Sequence, residues 1–450
     1  MKLFFCLVAS ALLLGCGDDS PAGGSGGGSA GGGALGGGGD GAEGGGPAGG
    51  MGSGGGAQVD PNPILERTPA ISHDCVETRP MSADTGATNA RLEGLVELDG
   101  SFFAATLADA LTISKVDLDG SFGDPLALSP DTYVARASVT VSDGSDIVTV
   151  WSEGSDLRFA RISSALALVD GPLDIPEASG NTVTAASLLP TSSGFALLYG
   201  VTAGNNEVEL RFITLGADGQ ATGDPVTVAA VGQVYAPSAG ATPTGDGGFA
   251  VAFDTGGFAD GEVSFVILND DGSPRFAPRR ISQPSGENLT SHLGYDPRHN
   301  VVRVGDGYWV AYAEDTGDYE AQVGSAIVRV AVVDAEGNAT LHALQAPVDQ
   351  IENRSPSFIE VDDRIGLAWT AGSIIWICGG CITDYDMHFV LIDPDGLVPA
   401  NQVVTQLHMN NGIKSPIVAR DGSDLLTGSM LDFHALTIPA TGSIACAAAE

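Results

Sequence analysis

Basic residues are scarce in this 450-residue chain: 19 Lys and Arg stand against 56 Asp and Glu, a formal net charge of −37. Such a surface repels phosphate backbones, which excludes nucleic acid as a partner. Charged residues of both signs make up only 17% of the chain and hydrophobic ones 43%. That is not the make-up of a solvated acidic tail, and it leaves enough apolar material for a core. Helical periodicity is nearly absent, which excludes a bundle. Catalytic signatures are missing too. The seven histidines are scattered, with no H-E-x-x-H and no G-x-S-x-G, so neither a zinc protease nor a serine hydrolase is indicated. Long hydrophobic runs are confined to Leu3–Leu14, about a dozen residues and too short to span a bilayer.

That run has the length of a secretion-signal core, and Lys2 precedes it. It ends in Leu13-Leu14-Gly15-Cys16. These residues resemble the bacterial lipobox. The resemblance implies cleavage after Gly15, diacylglycerol on the Cys16 thiol and, with Gly17 next, sorting to the outer membrane of a bacterial envelope. From Pro21 to Gly56 the chain holds 22 glycines in 36 residues. Such a stretch has almost nothing to bury and reads as a disordered tether. The expected organisation is a signal peptide over 1–15, a lipidated tether over 16–57 and one domain over 58–450.

The body repeats itself. An apolar strand ending on an aromatic recurs in "GSDIVTVW", "SSGFALLYG", "GDGGFAVAFD", "GDGYWVAYA" and "DDRIGLAWT". A second strand running into an Asp/Gly turn recurs in "ISKVDLDGS", "LRFITLGADGQ", "VSFVILNDDGS", "VRVAVVDAEGN" and "MHFVLIDPDGL". The turn glycines are Gly120, Gly171, Gly219, Gly272, Gly337, Gly396 and Gly442. Their spacing of 46 to 65 residues is typical of propeller blades. The expected fold is therefore all-β: a single β-propeller, with seven four-stranded blades, six or eight being the alternatives, and a monomeric head. A string of β-sandwiches is the rival. In the fourth unit the strands are expected, from the axis outwards, at "APSAGATPTG", "GFAVAFD", "EVSFVILN" and "SPRFAPRRI".

Cys6 leaves with the signal and Cys16 goes to lipid, so Cys75, Cys378, Cys381 and Cys446 remain, with three possible pairings. Propeller ends meet, which favours a Cys75–Cys446 bridge. Cys378 and Cys381 flank Gly379-Gly380 between two strand-like runs, which reads as a bridged hairpin tip rather than a redox helix start.

In a propeller the connections between second and third strands, and between blades, share one face. Here they vary in length, and loop variation on a rigid scaffold marks binding. Two stretches stand out: Glu314, Asp315, Asp318, Tyr319 and Glu320, then Asp384, Tyr385, Asp386 and His388. Carboxylates beside an aromatic suit a sugar, a basic protein or calcium. A solvated acidic rim is the competing reading. Asp117, Asp119 and Asp124 around Gly120 have a calcium-loop look, but sister turns lack the third aspartate, so a hairpin turn explains them better. No other cofactor is indicated. The turns resemble the sialidase Asp-box only loosely and lack its leading Ser/Thr-x-Asp. Three functions follow: a lipid-anchored head binding protein or glycan, a polysaccharide hydrolase or lyase at the channel, or a structural envelope protein.

Overall fold

In the computed structural model the described residues are 58–59 and 75–446, except 84–89, 109, 130–134, 179–182, 203–206, 233–237, 257–260, 284–289, 294–298, 316–325, 344–351, 362–363, 376–380, 393–398, 408–412, 422–423 and 434–435. They are β-strands and short connections, with a 3-10 turn at Pro176–Ala178. Sheets one to four each run in chain order from an inner strand near the axis to an outer one. Sheet one contains Arg91–Leu98, Ser101–Leu107, Leu111–Val116 and Leu126–Ala127. Sheet two contains Ala135–Ser142, Ile147–Glu153, Asp156–Ile162 and Leu168–Ile175. Sheet three contains Val183–Thr191, Gly194–Thr202, Val208–Gly216 and Val226–Gly232. Sheet four, with Ala239–Pro243, Phe249–Thr255, Glu262–Leu268 and Arg279–Arg280, has its strands where the alternation put them.

The fold is a single all-β propeller, but its hydrogen bonding forms six sheets and not seven separate blades. The difference lies in sheet five, which has ten strands. Its first half holds Thr290–His292, Val301–Val304, Gly307–Asp315, Ala326–Val333 and Ala339–Ala343. Its second half holds Glu352–Val361, Arg364–Ile375, Cys381–Ile392 and Pro399–Leu407. One parallel pairing, Ala326 with Glu352, joins the halves. Gln58–Val59 adds to its edge against Ala339–Ala343.

Sheet six closes the ring. Ile413–Asp421, Asp424–Phe433 and Leu436–Cys446 come from the C-terminal end, and Cys75–Ala83 supplies the outer strand. Cys75 and Cys446 are direct partners in that register. This corrects the place of Gly442, which pairs with Thr427 inside the third strand. The turn expected there does not exist because the fourth strand arrives from the other end of the chain.

The core sits between neighbouring sheets. One cluster joins Phe103 and Leu107 of sheet one to Trp151 and Ile162 of sheet two. Others join Phe159 to Phe195, Phe212 to Phe249, and Phe265 to Tyr308 across the next three boundaries. Those three pairs have ring centroids 5.8, 5.4 and 5.6 Å apart and tilted planes, a favourable arrangement for aromatics. Sandwiched sheets bury both faces, which is why Phe249–Phe253 is buried at every residue.

Two turn glycines explain the ruler-like repeat. Gly219 and Gly272 have φ of 77° and 82°, the left-handed region where a side chain is strained. A Cβ on Gly219 would lie 2.3 Å from the Phe159 ring of the preceding sheet, and one on Gly272 would lie 2.1 Å from Phe212. Each turn is thus seated on its neighbour's phenylalanine. In sheet two the turn is not at Gly171, as expected, but at Ser163–Ala167, where Leu166 takes φ 56°. Gly171 falls inside the outer strand, at a register shift.

Candidate functional site

The inner strands end at short turns on one face of the ring, the hairpin face. Around the axis there they enclose a cavity of about 420 Å³. Seven inner strands contribute to it, from sheet one round to Arg420 of sheet six. Leu95, Leu188, Val302 and Phe358 provide apolar wall, and Glu97, His299, Glu360 and Arg420 provide charged or titratable groups. Arg420 Nη1 donates to the Glu360 carbonyl oxygen at 3.3 Å, tying sheet six to sheet five. Glu97 Oε1 accepts from the Gly100 N–H at 2.7 Å. These residues escaped sequence reasoning. Their shared signal is position: each lies in the last few residues before the first turn of its repeat, or at the start of Val301–Val304.

The opposite face uses its polar residues differently. A second-strand aromatic faces a third-strand arginine in three places: Trp151 with Arg158, Tyr199 with Arg211, and Tyr312 with Arg329. Each arginine meets a nearby carboxylate, at 3.0 Å for Arg158 Nε to Glu153 and 2.8 Å for Arg211 Nη2 to Glu209. The Glu209 hydrogen bond raises the Arg211 pKa. The third pair is the tightest, with Arg329 Nη2 2.6 Å from Glu314 Oε1. Here the glutamate side chain is only 1% exposed, so this pair is not screened like a surface bridge. Burial, followed by the Glu314 charge, pushes the Tyr312 hydroxyl far up.

Among the sequence-selected residues, Glu314 and Asp315 are therefore buried strand residues ending Gly307–Asp315, not loop acids. Asp384, Tyr385, Asp386 and His388 lie along Cys381–Ile392, opposite Ser373, Gly372, Ala371 and Trp369. The two groups occupy the same face in adjoining halves of sheet five, joined through the Glu352 pairing. Asp318, Tyr319, Glu320, Cys378 and Cys16 lie outside the described residues. Cys381 opens its strand opposite Ile375. Arg364–Ile375 and Cys381–Ile392 have 12 residues each, against 6 to 9 for the second and third strands of sheets one to four. At about 3.3 Å per residue this hairpin extends roughly 10 Å further than those strands.

The aspartates proposed as weak calcium ligands sit on the hairpin-turn side. Asp119 Oδ1 accepts from both the Ser121 N–H and its hydroxyl, at 2.9 and 2.7 Å. Asp271 does the same with Ser273. Asp117 participates through its main chain, its carbonyl accepting from Gly120 N–H at 2.8 Å. Among the described residues no group of three or more His, Cys, Asp or Glu side chains converges on a metal-sized point.

Asp254, which the sequence did not single out, is the penultimate residue of the second strand of sheet four. Its Oδ1 accepts from the Leu293 N–H at 2.9 Å, and its N–H donates to Ser238 O. It thereby clamps sheet four to the entry of sheet five. Crowding by protein pushes its pKa up to about 8, against the pull of Leu293 and Ser238. The group still keeps partial contact with solvent.

No family model matches this sequence. No curated protein matches it either. Solved structures do share its shape. A polysaccharide lyase, an ulvan lyase bound to -[GlcA(1-4)Rha3S]-, aligns with TM-score 0.52 at 10% identity, covering 80% of this chain and 94% of that one. The same description without the saccharide gives TM-score 0.51, also at 10% identity, with the same coverage of both chains. At such identity the likeness is one of fold, and it agrees with the ring built above from sheets and interfaces.

Proposed function

We propose that the chain is an exported lipoprotein, anchored through Cys16, whose propeller head binds a protein or glycan partner at its variable-loop face. The observation that carries this reading is the long hairpin Arg364–Ile375/Cys381–Ile392, which outreaches the second and third strands of sheets one to four and bears Asp384, Tyr385 and Asp386. Projecting strands on a rigid ring suit recognition, since the scaffold holds them while their residues vary. Cys75 and Cys446, paired in register, form a disulfide, and Cys378 bridges Cys381 at the hairpin tip.

The test has two parts. Metabolic labelling with palmitate should mark the wild-type chain and leave Cys16→Ala unmarked. A glycan and protein array should then be probed with the soluble head and with a head lacking 374–382. Loss of binding on deletion, with the melting temperature preserved, supports the reading; equal binding by both heads sinks it.

A second reading, a polysaccharide lyase or hydrolase at the channel, gains from the shared fold with an ulvan lyase. The charge of −37 opposes a polyanionic substrate of that kind. Release of unsaturated uronic ends from any anionic polysaccharide would establish that reading instead.

A further inference from the structure

We propose that the hairpin-face cavity binds a small organic cation, an ammonium group carried on an apolar body. The site lies at the other end of the axis from the projecting hairpin and does not depend on the reading above. Its volume of about 420 Å³ falls within the range of small-molecule sites. Leu95, Leu188, Val302 and Phe358 give it the apolar wall such sites need.

The charged groups choose the ligand. Glu360, Arg420 and Glu97 come from sheets that follow one another round the ring, so one arginine stands between two glutamates. By count Arg420 balances one of the two carboxylates, and one negative charge remains on that arc, with the His299 imidazole on the next inner-strand segment beyond Glu360. The opposite arc offers the hydroxyls of Thr140, Ser142, Ser187 and Thr242, which bring no compensating charge. Beyond the cavity, Asp99, Asp143, Asp246, Asp306 and Asp421 lie in or beside the first turns of their repeats. Arg161 pairs with Asp143 and Arg275 with Asp246, and Arg303 and Arg364 also stand beside first turns, so five aspartates face four arginines and the set stays acidic by one charge. An acidic rim over a low-dielectric cup concentrates cations and turns anions away. An anionic ligand would set its charge against Glu97 and Glu360. A wholly apolar one would strip water from those carboxylates without replacing it.

Isothermal titration of the full chain with 2-phenylethylammonium, 2-phenylethanol and 3-phenylpropionate tests this. The ammonium should bind, the alcohol at least about tenfold more weakly, and the carboxylate not at all, a gap of at least 1.4 kcal/mol between the first two. The Glu97→Gln/Glu360→Gln double variant keeps both side-chain shapes and an acceptor for Gly100. It should lose at least about tenfold in ammonium affinity with its melting temperature unchanged. Equal binding of alcohol and ammonium, preference for the carboxylate, no heat with any of the three, or full affinity in the double variant would each overturn the proposal.

Discussion

On the hairpin-turn side, Asp119 and Asp271 use their carboxylates on N–H and hydroxyl groups two residues away. On the variable-loop face, Glu314 uses its carboxylate on Arg329 of the adjoining strand, whose second-strand partner is the buried Tyr312, while Glu209 reaches Arg211 two residues along its own strand. The first arrangement is local and exposed; it shapes a turn and is repeated. The Glu314–Arg329 pair joins neighbouring strands across 15 residues of chain and is almost cut off from water. One residue class thus does turn-making on one side and sheet-locking on the other. Acidity alone says nothing about where a ligand would bind.

The largest effect should come from the turns that touch a neighbour. Gly272→Ala meets both a left-handed backbone and the Phe212 ring, so about 3–4 kcal/mol of stability should be lost in urea unfolding. Gly144→Ala has φ 85° but nothing within 4 Å, so only the backbone cost of about 1 kcal/mol should appear. Equal losses would show that the seating on phenylalanine is unimportant.

On the variable-loop face, Glu314→Ala strands the Arg329 guanidinium and should cost about 3 kcal/mol, with Glu314→Gln intermediate. Asp119→Ala, its counterpart in the exposed turn, should cost about 1 kcal/mol or less. Matching costs would erase the distinction between the two arrangements.

Asp254 gives a pH handle. Its folded pKa of about 8 lies above the ordinary value of 3.8, so the folded state holds the proton more tightly. Its contribution is therefore intact below pH 4 and is lost as pH rises towards 8. Asp254→Asn should stabilise the protein at pH 8 by about 2 kcal/mol, a figure reduced for partial solvent contact, and change little at pH 4. Destabilisation at both pH values would mean that the charged form is the one that binds Leu293. The smallest effect is expected from calcium. Because Asp119 is already engaged by Ser121, millimolar calcium should move the melting temperature by less than about 1 °C. A larger shift abolished by Asp117→Asn would reinstate a metal loop.

Much of the ring was legible because its signals are local. Alternation located Phe249–Thr255 and Glu262–Leu268, and positive-φ glycines marked Gly120, Gly219, Gly272 and Gly337. The failures were non-local. Gly442 sits in a third strand whose partner lies near residue 80. The fusion of sheet five rests on one parallel pairing across a connection, and no residue pattern announces it. The cavity was invisible for the same reason, since each inner strand brings only one to four residues to it. Glu314 and Asp315 were noticed, but as rim acids. Burial runs unbroken from Tyr308 to Asp315, past the last aromatic, Tyr312, so no alternation in Gly307–Asp315 marked them as buried.

The pairing of Cys75–Ala83 with Leu436–Cys446 has a consequence in time. The two segments are separated by about 370 residues, so this contact is among the latest that synthesis makes available. Until residue 446 emerges, the N-terminal strand has no hydrogen-bonding partner and the ring has an open seam. A chain stopped at residue 430 would carry two exposed strand edges instead of a worn closure, which invites pairing between copies. Sheet six thus acts as a check on completeness: a truncated product betrays itself by its edges, and only a full-length one becomes a closed, edge-protected ring.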